Sequence, residues 1–372
     1  MNPRKTSLAL TLLVLSGCGH VIRPELAPNY GRFDFSDPPC RLSPQPMLGA
    51  NEVGIRYFGT GGLYVEWQGS ALLTAPFFSN PNNLRVKWGH IRSDPWAVRR
   101  GLYGMDLSHV RAIAAGHSHY DHIGDLPLIS REYLPGVPIW VNQTGANALA
   151  GEHLPSPVGV LENEAGWIRL QDSSGHDLPI RFRKVPSKHA PHFWGVHIAG
   201  KSIGQPWTTP WEQRRWLALQ EGNTFAFVID LMSPTKPERP LFRIYYQDAA
   251  NPNNVGAPVL DPGDDKTFDL AVLCMASYTF VRQHPEYILG TVQPRHVLIG
   301  HYEDFFQDRA YPVRFVFPLI NSLANRFLVR TREAIEKQQA AGPGPEGTVC
   351  GPSTPAYTMP MPGEWMRFKV VP

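Results

Sequence analysis

The stretch GHSHYDHIGDLPL, from Gly116 to Leu128, places four strong metal-binding side chains within six consecutive residues: His117, His119, Asp121 and His122. The run before it, residues 110–115, is mostly apolar and predicts a buried strand. The apolar spacing after it indicates a helix that begins near Asp121. The cluster is therefore expected on a loop that joins a strand to a helix.

Such a loop is well suited to binding metal ions. In extended backbone, residues two apart point the same way, so His117 and His119 can contact one ion, while Asp121 and His122 face a second. Imidazoles with a carboxylate suit zinc, and iron and manganese accept similar sets. A lone histidine would favour ordinary packing or solvation without metal, but three histidines and an aspartate at this spacing favour a metal site.

The pattern His-x-His-x-Asp-His resembles the signature of the metallo-β-lactamase superfamily of binuclear metallohydrolases. A histidine at position 119, where the oxygen-reducing di-iron branch carries a glutamate, favours the hydrolytic branches. The resemblance implies an α/β fold, a four-layer αββα sandwich with helices outside and two mixed sheets inside. It also implies a site on the rim of the sheets.

Three further ligands follow from the same resemblance, each at or just after a predicted strand end: His189, Asp248 and His301. The resemblance puts His117, His119 and His189 on one ion, called here the first-ion set. It puts Asp121, His122 and His301 on the other, the second-ion set, with Asp248 as the carboxylate between the two ions. His192 is the fallback for His189 or a group beside it.

Residues 59–81, GTGGLYVEWQGSALLTAPFFSNP, resemble the opening strands of one branch of this superfamily. That branch contains N-acylphosphatidylethanolamine phospholipase D and the ascorbate-lactone hydrolases. Its members usually carry Asp-Pro where this chain has Ala75-Pro76. A carboxylate that orients a ligand histidine is thus either absent or supplied from elsewhere.

The ligand set predicts hydrolysis. Two dications, two carboxylates and a bridging hydroxide leave a charge of about +1, which favours an anionic substrate or transition state. Metal binding lowers the pKa of water to about 7, so a hydroxide can attack a carbonyl or phosphoryl centre. Asp121 is expected to steer the proton. His192, Tyr278 and Lys188 are candidates for leaving-group or phosphate contact, and a structural role is the alternative for each.

Three functions compete on this basis. The first is an envelope-anchored hydrolase that cleaves a phosphodiester of a small or lipid-like anionic molecule, in the manner of a phospholipase D. The second is a lactone, ester or amide hydrolase with the same two divalent ions, zinc first and manganese or iron as alternatives. The third is a non-catalytic envelope lipoprotein that kept the fold, for which Ala75 is the supporting departure.

Composition sets wider limits. The chain has 372 residues, 42% of them hydrophobic and 18% charged, with 37 prolines, which indicates a loop-rich globular protein. A formal net charge of +3 is too small to argue for a nucleic-acid partner. We expect a tether and arm over 18–52, the hydrolase domain over 53–341, and an extension over 342–372 with an edge strand near its end.

Residues 1–17 resemble a lipoprotein signal peptide. Arg4 and Lys5 precede an apolar run, Leu8–Leu15, which is too short to span a bilayer. Residues 15–18, Leu-Ser-Gly-Cys, resemble a bacterial lipobox in which Cys18 is acylated; a plain secretory cleavage site is the alternative. The glycine at position 19 resembles outer-membrane sorting, so we expect a protein on the outer membrane that faces the periplasm.

The remaining cysteines allow one disulfide. Cys40 and Cys350 flank the predicted domain and could pair in an oxidising compartment, although sequence alone cannot fix the connectivity. Cys274 lies in an apolar run and is expected as a buried thiol.

Two tryptophan-containing segments and one helix complete the expectations. Residues 80–104 hold Trp88 and Trp96 among basic residues and predict a surface excursion near the mouth of the site. Residues 200–218 predict an insert whose tryptophans pack on the domain, with a lid that meets lipid as the alternative. Helical spacing over 313–339 predicts a long helix with one apolar side.

Overall fold

The computed structural model describes residues 45–192, 196–307, 313–340 and 357–370. The predicted signal peptide, the acylation of Cys18 and the pairing of Cys40 with Cys350 lie outside these residues. Within them, every helix is too short or too polar to cross a lipid bilayer.

The first half of the chain forms most of one seven-stranded sheet. Its strands are β1 (Glu52–Gly59), β2 (Gly62–Trp67), β3 (Ser70–Thr74), β4 (Val110–Ala114), β5 (Ile139–Val141), β6 (Val158–Val160) and β14 (Trp365–Lys369). Their order across the sheet is β14-β1-β2-β3-β4-β5-β6. The β14-to-β3 side is antiparallel and the β3-to-β6 side is parallel, so the sheet is mixed.

The second sheet repeats this pattern. Its strands are β7 (Ile168–Gln171), β8 (Asp177–Ser187), β9 (Thr224–Met232), β10 (Pro240–Gln247), β11 (Leu270–Cys274), β12 (His296–Gly300) and β13 (Tyr357–Thr358), in the order β13-β12-β11-β10-β9-β8-β7. Strands β7 to β10 pair antiparallel, and β10 to β13 pair parallel. Each sheet thus has an antiparallel half and a parallel half.

Helices connect and cover the strands. They are α1 (Asn83–Trp88), α2 (Pro95–Leu102), α3 (Tyr120–Ile123), α4 (Leu126–Glu132), α5 (Gln143–Leu149), α6 (Glu286–Val292) and α7 (Asn321–Ala340). Asn82 and Asp94 cap α1 and α2 by accepting hydrogen bonds from backbone N–H groups of the first turn. Side-chain oxygens at these positions satisfy donors that would otherwise lack a partner.

The side-chain alternation of β2 shows how the layers are built. Leu63, Val65 and Trp67 point between the two sheets, whereas Tyr64 points to the helices on the outer face. Successive residues of a strand face opposite sides, so a strand covered on both sides is mostly apolar, and the buried Glu66 of β2 is paired with Gln45 and His109. Each fully buried aliphatic side chain contributes about 1.5–3 kcal/mol. The predicted four-layer α/β architecture, with helices outside two mixed sheets, is confirmed.

The long helix is shorter than predicted at its start. The structure begins α7 at Asn321, not near residue 313, because Pro318 cannot occupy a helix interior. Phe315 and Leu319 are still buried, but in irregular backbone, and Ile320 is 38% exposed. Ala324 and Phe327 lie on the apolar side as expected.

The tryptophan-rich segment 200–218 packs on the domain. Trp211 and Trp216 are 2% and 1% exposed, within the core between the first sheet and its helices. The packing prediction is therefore confirmed for these two residues, which removes them from any role as an exposed lid.

Candidate metal centre

Strand ends from both sheets bring the predicted ligands to one rim of the molecule. The loop after β4 carries residues 117–122, and α3 begins within it. His189 lies two residues past β8, Asp248 directly follows β10, and His301 directly follows β12. Six of the seven side chains are buried, and His189 is half-buried.

The first-ion set converges through its ring nitrogens. His117 Nε2 lies 3.1 Å from His119 Nδ1. The His189 ring centroid lies 4.9 Å from the centroids of both other rings. One potential ligand atom from each residue falls within 4.8 Å of the others. The three imidazoles can therefore share one ion.

The second-ion set converges on one carboxylate oxygen. Asp121 Oδ2 lies 3.5 Å from His122 Nε2 and 3.5 Å from His301 Nε2. The His122 and His301 ring centroids are 5.2 Å apart. These three residues also offer ligand atoms within 4.8 Å of one another, so they can hold an ion of their own.

Asp248 lies beneath both sets, in contact with one histidine of each. His117 Nδ1–H donates to Asp248 Oδ2 at 2.7 Å, and His122 Nδ1–H donates to Oδ1 at 3.1 Å. The Tyr246 hydroxyl lies 2.5 Å from the same Oδ1. Since an ionised carboxylate only accepts hydrogen bonds, both Nδ1 atoms carry protons, which leaves both Nε2 atoms as lone-pair donors.

This arrangement bears on the missing carboxylate at position 75. Ala75 is fully buried in the apolar core between the first sheet and its helices. Asp248 supplies a carboxylate that orients ligand histidines, so that function is filled from elsewhere in the chain. Asp248 contacts one histidine of each set through Nδ1 rather than Nε2, and its place between the two ions stays a prediction.

The buried polar atoms fit two cations. Three buried ring nitrogens have no hydrogen-bond partner among the described residues: His119 Nε2, His122 Nε2 and His301 Nδ1. A buried ring nitrogen without a partner is costly, and here three such atoms occur within one cluster of ligand side chains. Metal coordination would satisfy His122 Nε2, which converges with Asp121 Oδ2, while His119 and His301 converge on their sets through the other ring nitrogen. The donor set of imidazoles and a carboxylate therefore suits the ions that the ligand pattern implies.

The protonation states favour metal binding as well. Burial, together with the neighbouring His122, lowers the pKa of His117 to about 3. Burial also holds the pKa of His119 well below its usual range. Burial alone would raise the pKa of Asp121, but His122 and His301 hold it below its usual value. His117 and His119 are therefore neutral and Asp121 is ionised, the forms that bind metal. Burial alone would lower the pKa of His122, but Asp248 and Asp121 raise it above its usual value.

Two glycines allow the close approach. A Cβ on Gly116 would lie 2.2 Å from the Phe225 carbonyl oxygen and 2.7 Å from Asp248 Cβ. A Cβ on Gly61 would lie 2.9 Å from both Asp248 Oδ1 and His122 Cε1. Any side chain at either position would displace Asp248 or its partners, so these positions require glycine.

A second hydrogen-bond network fixes His301, whose φ of +52° is unusual for a residue other than glycine. His301 N–H donates to the Tyr57 hydroxyl at 2.7 Å, and that hydroxyl donates to Glu303 Oε2 at 2.7 Å. No pattern in the sequence identified Tyr57, Glu303 and Tyr246 as supports of the site. The acidic Glu303, two residues after a ligand histidine, was the available signal.

A cavity of about 90 Å³ opens beside the cluster. Five predicted site residues line it: His119, Asp121, His189, His192 and His301. His192 stacks on His189 at a centroid distance of 4.8 Å, and its Nδ1 accepts a hydrogen bond from the Ile198 N–H at 3.2 Å. That contact places the proton of a neutral His192 on Nε2.

The other two candidates for substrate contact do not reach the cavity wall as the structure describes it. The Tyr278 hydroxyl donates to the Leu323 carbonyl at 2.7 Å, so it is used in packing. Lys188 is exposed to solvent. Neither Tyr278 nor Lys188 is therefore placed to contact a substrate in the cavity.

Fold and site together define a mixed α/β sandwich with a histidine- and aspartate-rich candidate metal centre on the rim of its sheets. No protein-family model matches the sequence, and a search of the curated proteins finds no match either.

Solved structures with a similar fold include Igni18, a metallo hydrolase from Ignicoccus hospitalis (16% identity over 86% of this chain and 100% of that one, TM-score 0.46). Another is isothiocyanate hydrolase from Delia radicum gut bacteria (12%, 85% and 100%, TM-score 0.45). A third is CmlA, a diiron β-hydroxylase from Streptomyces venezuelae (10%, 80% and 52%, TM-score 0.43).

The architecture is consistent with the metallo-β-lactamase fold. Identities this low and TM-scores below 0.5 do not carry an activity from one protein to another. The function of this chain has to be inferred from its own residues.

Proposed function

We propose that this protein is a metal-dependent hydrolase with two divalent ions, zinc in the first instance and manganese or iron as alternatives. The observation that carries the proposal is the convergence of seven side chains from four strand ends, whose potential ligand atoms form groups within 4.8 Å of one another. Such ions supply a hydroxide at neutral pH and compensate negative charge that develops during reaction.

The protein's own groups prepare the site for that chemistry. Asp248 holds His117 and His122 through their Nδ1 atoms, so that both rings present Nε2 in a fixed orientation. Asp121 stays ionised on the cavity side, where its carboxylate can accept a hydrogen bond from an attacking water and steer its proton.

His192 is suited to contact the substrate. Burial, with His189 beside it, holds its pKa well below the usual range, so the ring stays neutral. Because Nδ1 accepts from Ile198, the Nε2–H is the available donor on a residue that lines the cavity. It can donate a hydrogen bond to the leaving group or to an oxygen that gains negative charge.

A phosphodiester is the substrate that we propose first. The residual positive charge of two ions with two carboxylates favours a phosphoryl centre, whose transition state is anionic. Seven large aliphatic and phenylalanine side chains line the cavity and suit an apolar substituent: Val86, Ile198, Leu217, Phe305, Phe306, Val316 and Phe317. An amphipathic phosphodiester, as a phospholipase D cleaves, meets both demands.

The cavity size favours a second candidate, a lactone, ester or amide. A volume of about 90 Å³ between the described residues admits one compact apolar group rather than two acyl chains. A small ring or acyl substrate would fill such a space and present its carbonyl to the same ions.

A substrate panel separates the two. The chain loaded with zinc or manganese is incubated with chromogenic bis-phosphate, lactone and β-lactam substrates, and product release is followed. We expect turnover of the phosphodiester that a His122→Ala variant loses and a His284→Gln variant keeps, since His284 is a buried histidine that does not line the cavity. Turnover of lactones alone would establish the second candidate.

Metal content tests the whole proposal. We expect two ions per chain by elemental analysis after reconstitution. Fewer than one ion per chain would instead identify a non-catalytic protein that kept the fold.

We also propose that the chain is anchored in the bacterial envelope through acylated Cys18, on the outer membrane facing the periplasm. Its lipobox-like residues 15–18 support this. Mass spectrometry of the N-terminal peptide from the membrane fraction should find Cys18 acylated. An unmodified N-terminus from cleavage elsewhere would refute the anchor.

A further inference from the structure

One short segment of the surface exposes an unusual amount of apolar area. Leu84, Trp88, Trp96 and Tyr103 are 63%, 57%, 76% and 79% exposed. Of the seven large hydrophobic side chains exposed in the described part of the chain, four therefore fall between residues 84 and 103. Tryptophan carries a large apolar area with a polar N–H and favours boundaries between apolar and wet surroundings.

The same segment carries a net positive charge. Residues 84–103 contain five Lys and Arg residues and a single carboxylate, a net +4, against +3 for the entire sequence. The carboxylate, Asp94, is engaged in capping α2, where it accepts from Trp96 N–H and Ala97 N–H. We call this segment, with its outward aromatic and basic side chains, the 84–103 surface.

Packing fixes the outward direction of these side chains. Val86, Val98 and Leu102 turn inward from α1 and α2 and are buried in the core of the first sheet's helical layer. The N-terminal caps of both helices are made, so the helices are anchored at their starts. Leu84, Trp88 and Trp96 thus project from helices that are packed on the core.

Cations lie over the exposed rings. Lys87 Nζ lies 4.8 Å from the Trp88 ring centroid, and Arg99 Cζ lies 5.9 Å from that of Trp96. Arg215, from the neighbouring segment, lies 5.9 Å from the Trp88 ring. Each tryptophan therefore presents an apolar ring and a positive charge side by side.

The 84–103 surface adjoins the metal-centre cavity. Val86 of α1 lines that cavity, while Leu84 and Trp88 of the same helix are exposed to solvent. A partner bound to the outer face would thus lie one helix away from the mouth of the site.

We propose that the 84–103 surface docks on an anionic lipid membrane. Aromatic rings at the headgroup level and cations against lipid phosphates are the pairing that interfacial binding uses. The exposed aliphatic Leu84 beside Trp88 suits an acyl boundary and has no counterpart in recognition of a nucleic-acid backbone. Docking would hold the cavity mouth close to the lipid headgroups.

Vesicle binding tests the proposal apart from any enzymatic activity. The full chain carries Cys18→Ser, so that no acyl anchor contributes, and is sedimented with phosphatidylcholine vesicles with and without phosphatidylglycerol. We expect binding to the anionic vesicles only, with a blue shift of tryptophan emission. The double variant Lys87→Glu with Arg99→Glu should weaken binding at least about tenfold, and Trp88→Ala with Trp96→Ala should weaken it and reduce the blue shift.

A matched control makes the same change of charge elsewhere. Lys236 and Arg239 are exposed on the turn between β9 and β10, at the opposite end of those strands from Asp248. Lys236→Glu with Arg239→Glu should leave vesicle binding within twofold, and thermal melting should show all variants folded. Equal binding to neutral vesicles, equal loss in the control, or preferential binding of a single-stranded oligonucleotide in competition would overturn the proposal.

Discussion

The metal centre has two parts that the protein treats differently. Its floor consists of His117, His122, Asp248 and Tyr246, which are fully buried and joined by hydrogen bonds between 2.5 and 3.1 Å. Its open face consists of His119, Asp121, His189 and His301, which line the cavity. Among the described residues, His119 and His301 of the face and His122 of the floor each keep a ring nitrogen without a hydrogen-bond partner.

This difference separates residues that stabilise the fold from residues that mainly bind the ions. Apart from His122 Nε2, the polar atoms of the floor have hydrogen-bond partners among the described residues, so the floor sets the orientation of the rings before metal binds. The face supplies ligand atoms to both ion sets. Floor variants should therefore weaken the metal-free protein, whereas face variants should weaken metal binding alone.

Asp248→Ala should have the largest effect on the metal-free protein. It strips two buried Nδ1–H donors and a tyrosine hydroxyl of their acceptor, at a cost of about 3–5 kcal/mol. Denaturant unfolding of the metal-free chain measures this. Asp261→Ala is the control, because that carboxylate is 59% exposed in its pair with Arg183 and should matter by less than about 1 kcal/mol. Equal unfolding midpoints for the two variants would contradict a structural floor.

A buried histidine outside the site gives a pH-dependent effect. Burial lowers the pKa of His284 to about 4, below its ordinary 6.5. As pH falls, the unfolded chain therefore takes up this proton first. The stability that neutral His284 contributes to the fold is fully present above pH 6.5. It falls by about 3 kcal/mol as the pH drops to about 4.

His284→Gln should flatten that loss, since glutamine has no such proton to gain. Melting temperatures of both chains across this pH range, without metal, provide the measurement. A parallel decline in wild type and variant would place the acid sensitivity in the site histidines instead.

Tyr246→Phe should destabilise the metal-free protein less than Asp248→Ala does. The Tyr246 hydroxyl lies 2.5 Å from Asp248 Oδ1 and 2.6 Å from the Gly61 carbonyl oxygen, and its loss should cost about 1–2 kcal/mol. Metal affinity should fall about tenfold, because Asp248 then holds the rings less firmly.

Tyr245→Phe is the matched control for that variant. The Tyr245 hydroxyl donates to the Gly256 carbonyl at 2.7 Å, away from the site. It should cost similar stability and leave metal affinity unchanged. Loss of affinity in both variants would mean that stability alone governs metal binding.

His119→Ala should affect the metal-free protein least. Its Nε2 has no protein partner and its ring borders a cavity, so the metal-free stability should stay within about 1 kcal/mol of wild type. Bound metal should fall from two ions to one by elemental analysis. Two ions retained, or a large loss of metal-free stability, would erase the distinction between floor and face.

Local sequence predicted much of this site because its first motif is compact. His117, His119, Asp121 and His122 share one loop, and the neighbouring apolar strand predicts where that loop lies. Resemblance to known metallohydrolases, not spacing, selected His189, Asp248 and His301. Pro318 is the local signal that places the start of the long helix at Asn321 rather than near residue 313.

The residues that support the ligands were beyond reach of the same reasoning. Tyr57 and His301 are 244 positions apart in the chain and meet through one hydrogen bond. Asp248 and His117 are 131 positions apart. No periodicity or local motif encodes such pairs, because they depend on how two sheets pack.

What the sequence by itself determined are the strands, from apolar runs, and the metal-binding character of residues 117–122, from residue types two and four positions apart. The tertiary structure alone decided that Asp248 orients two rings and that Ala75 lies in the apolar core. The reason is physical: backbone periodicity is a local property, whereas burial and hydrogen-bond partners are set by contacts between distant segments.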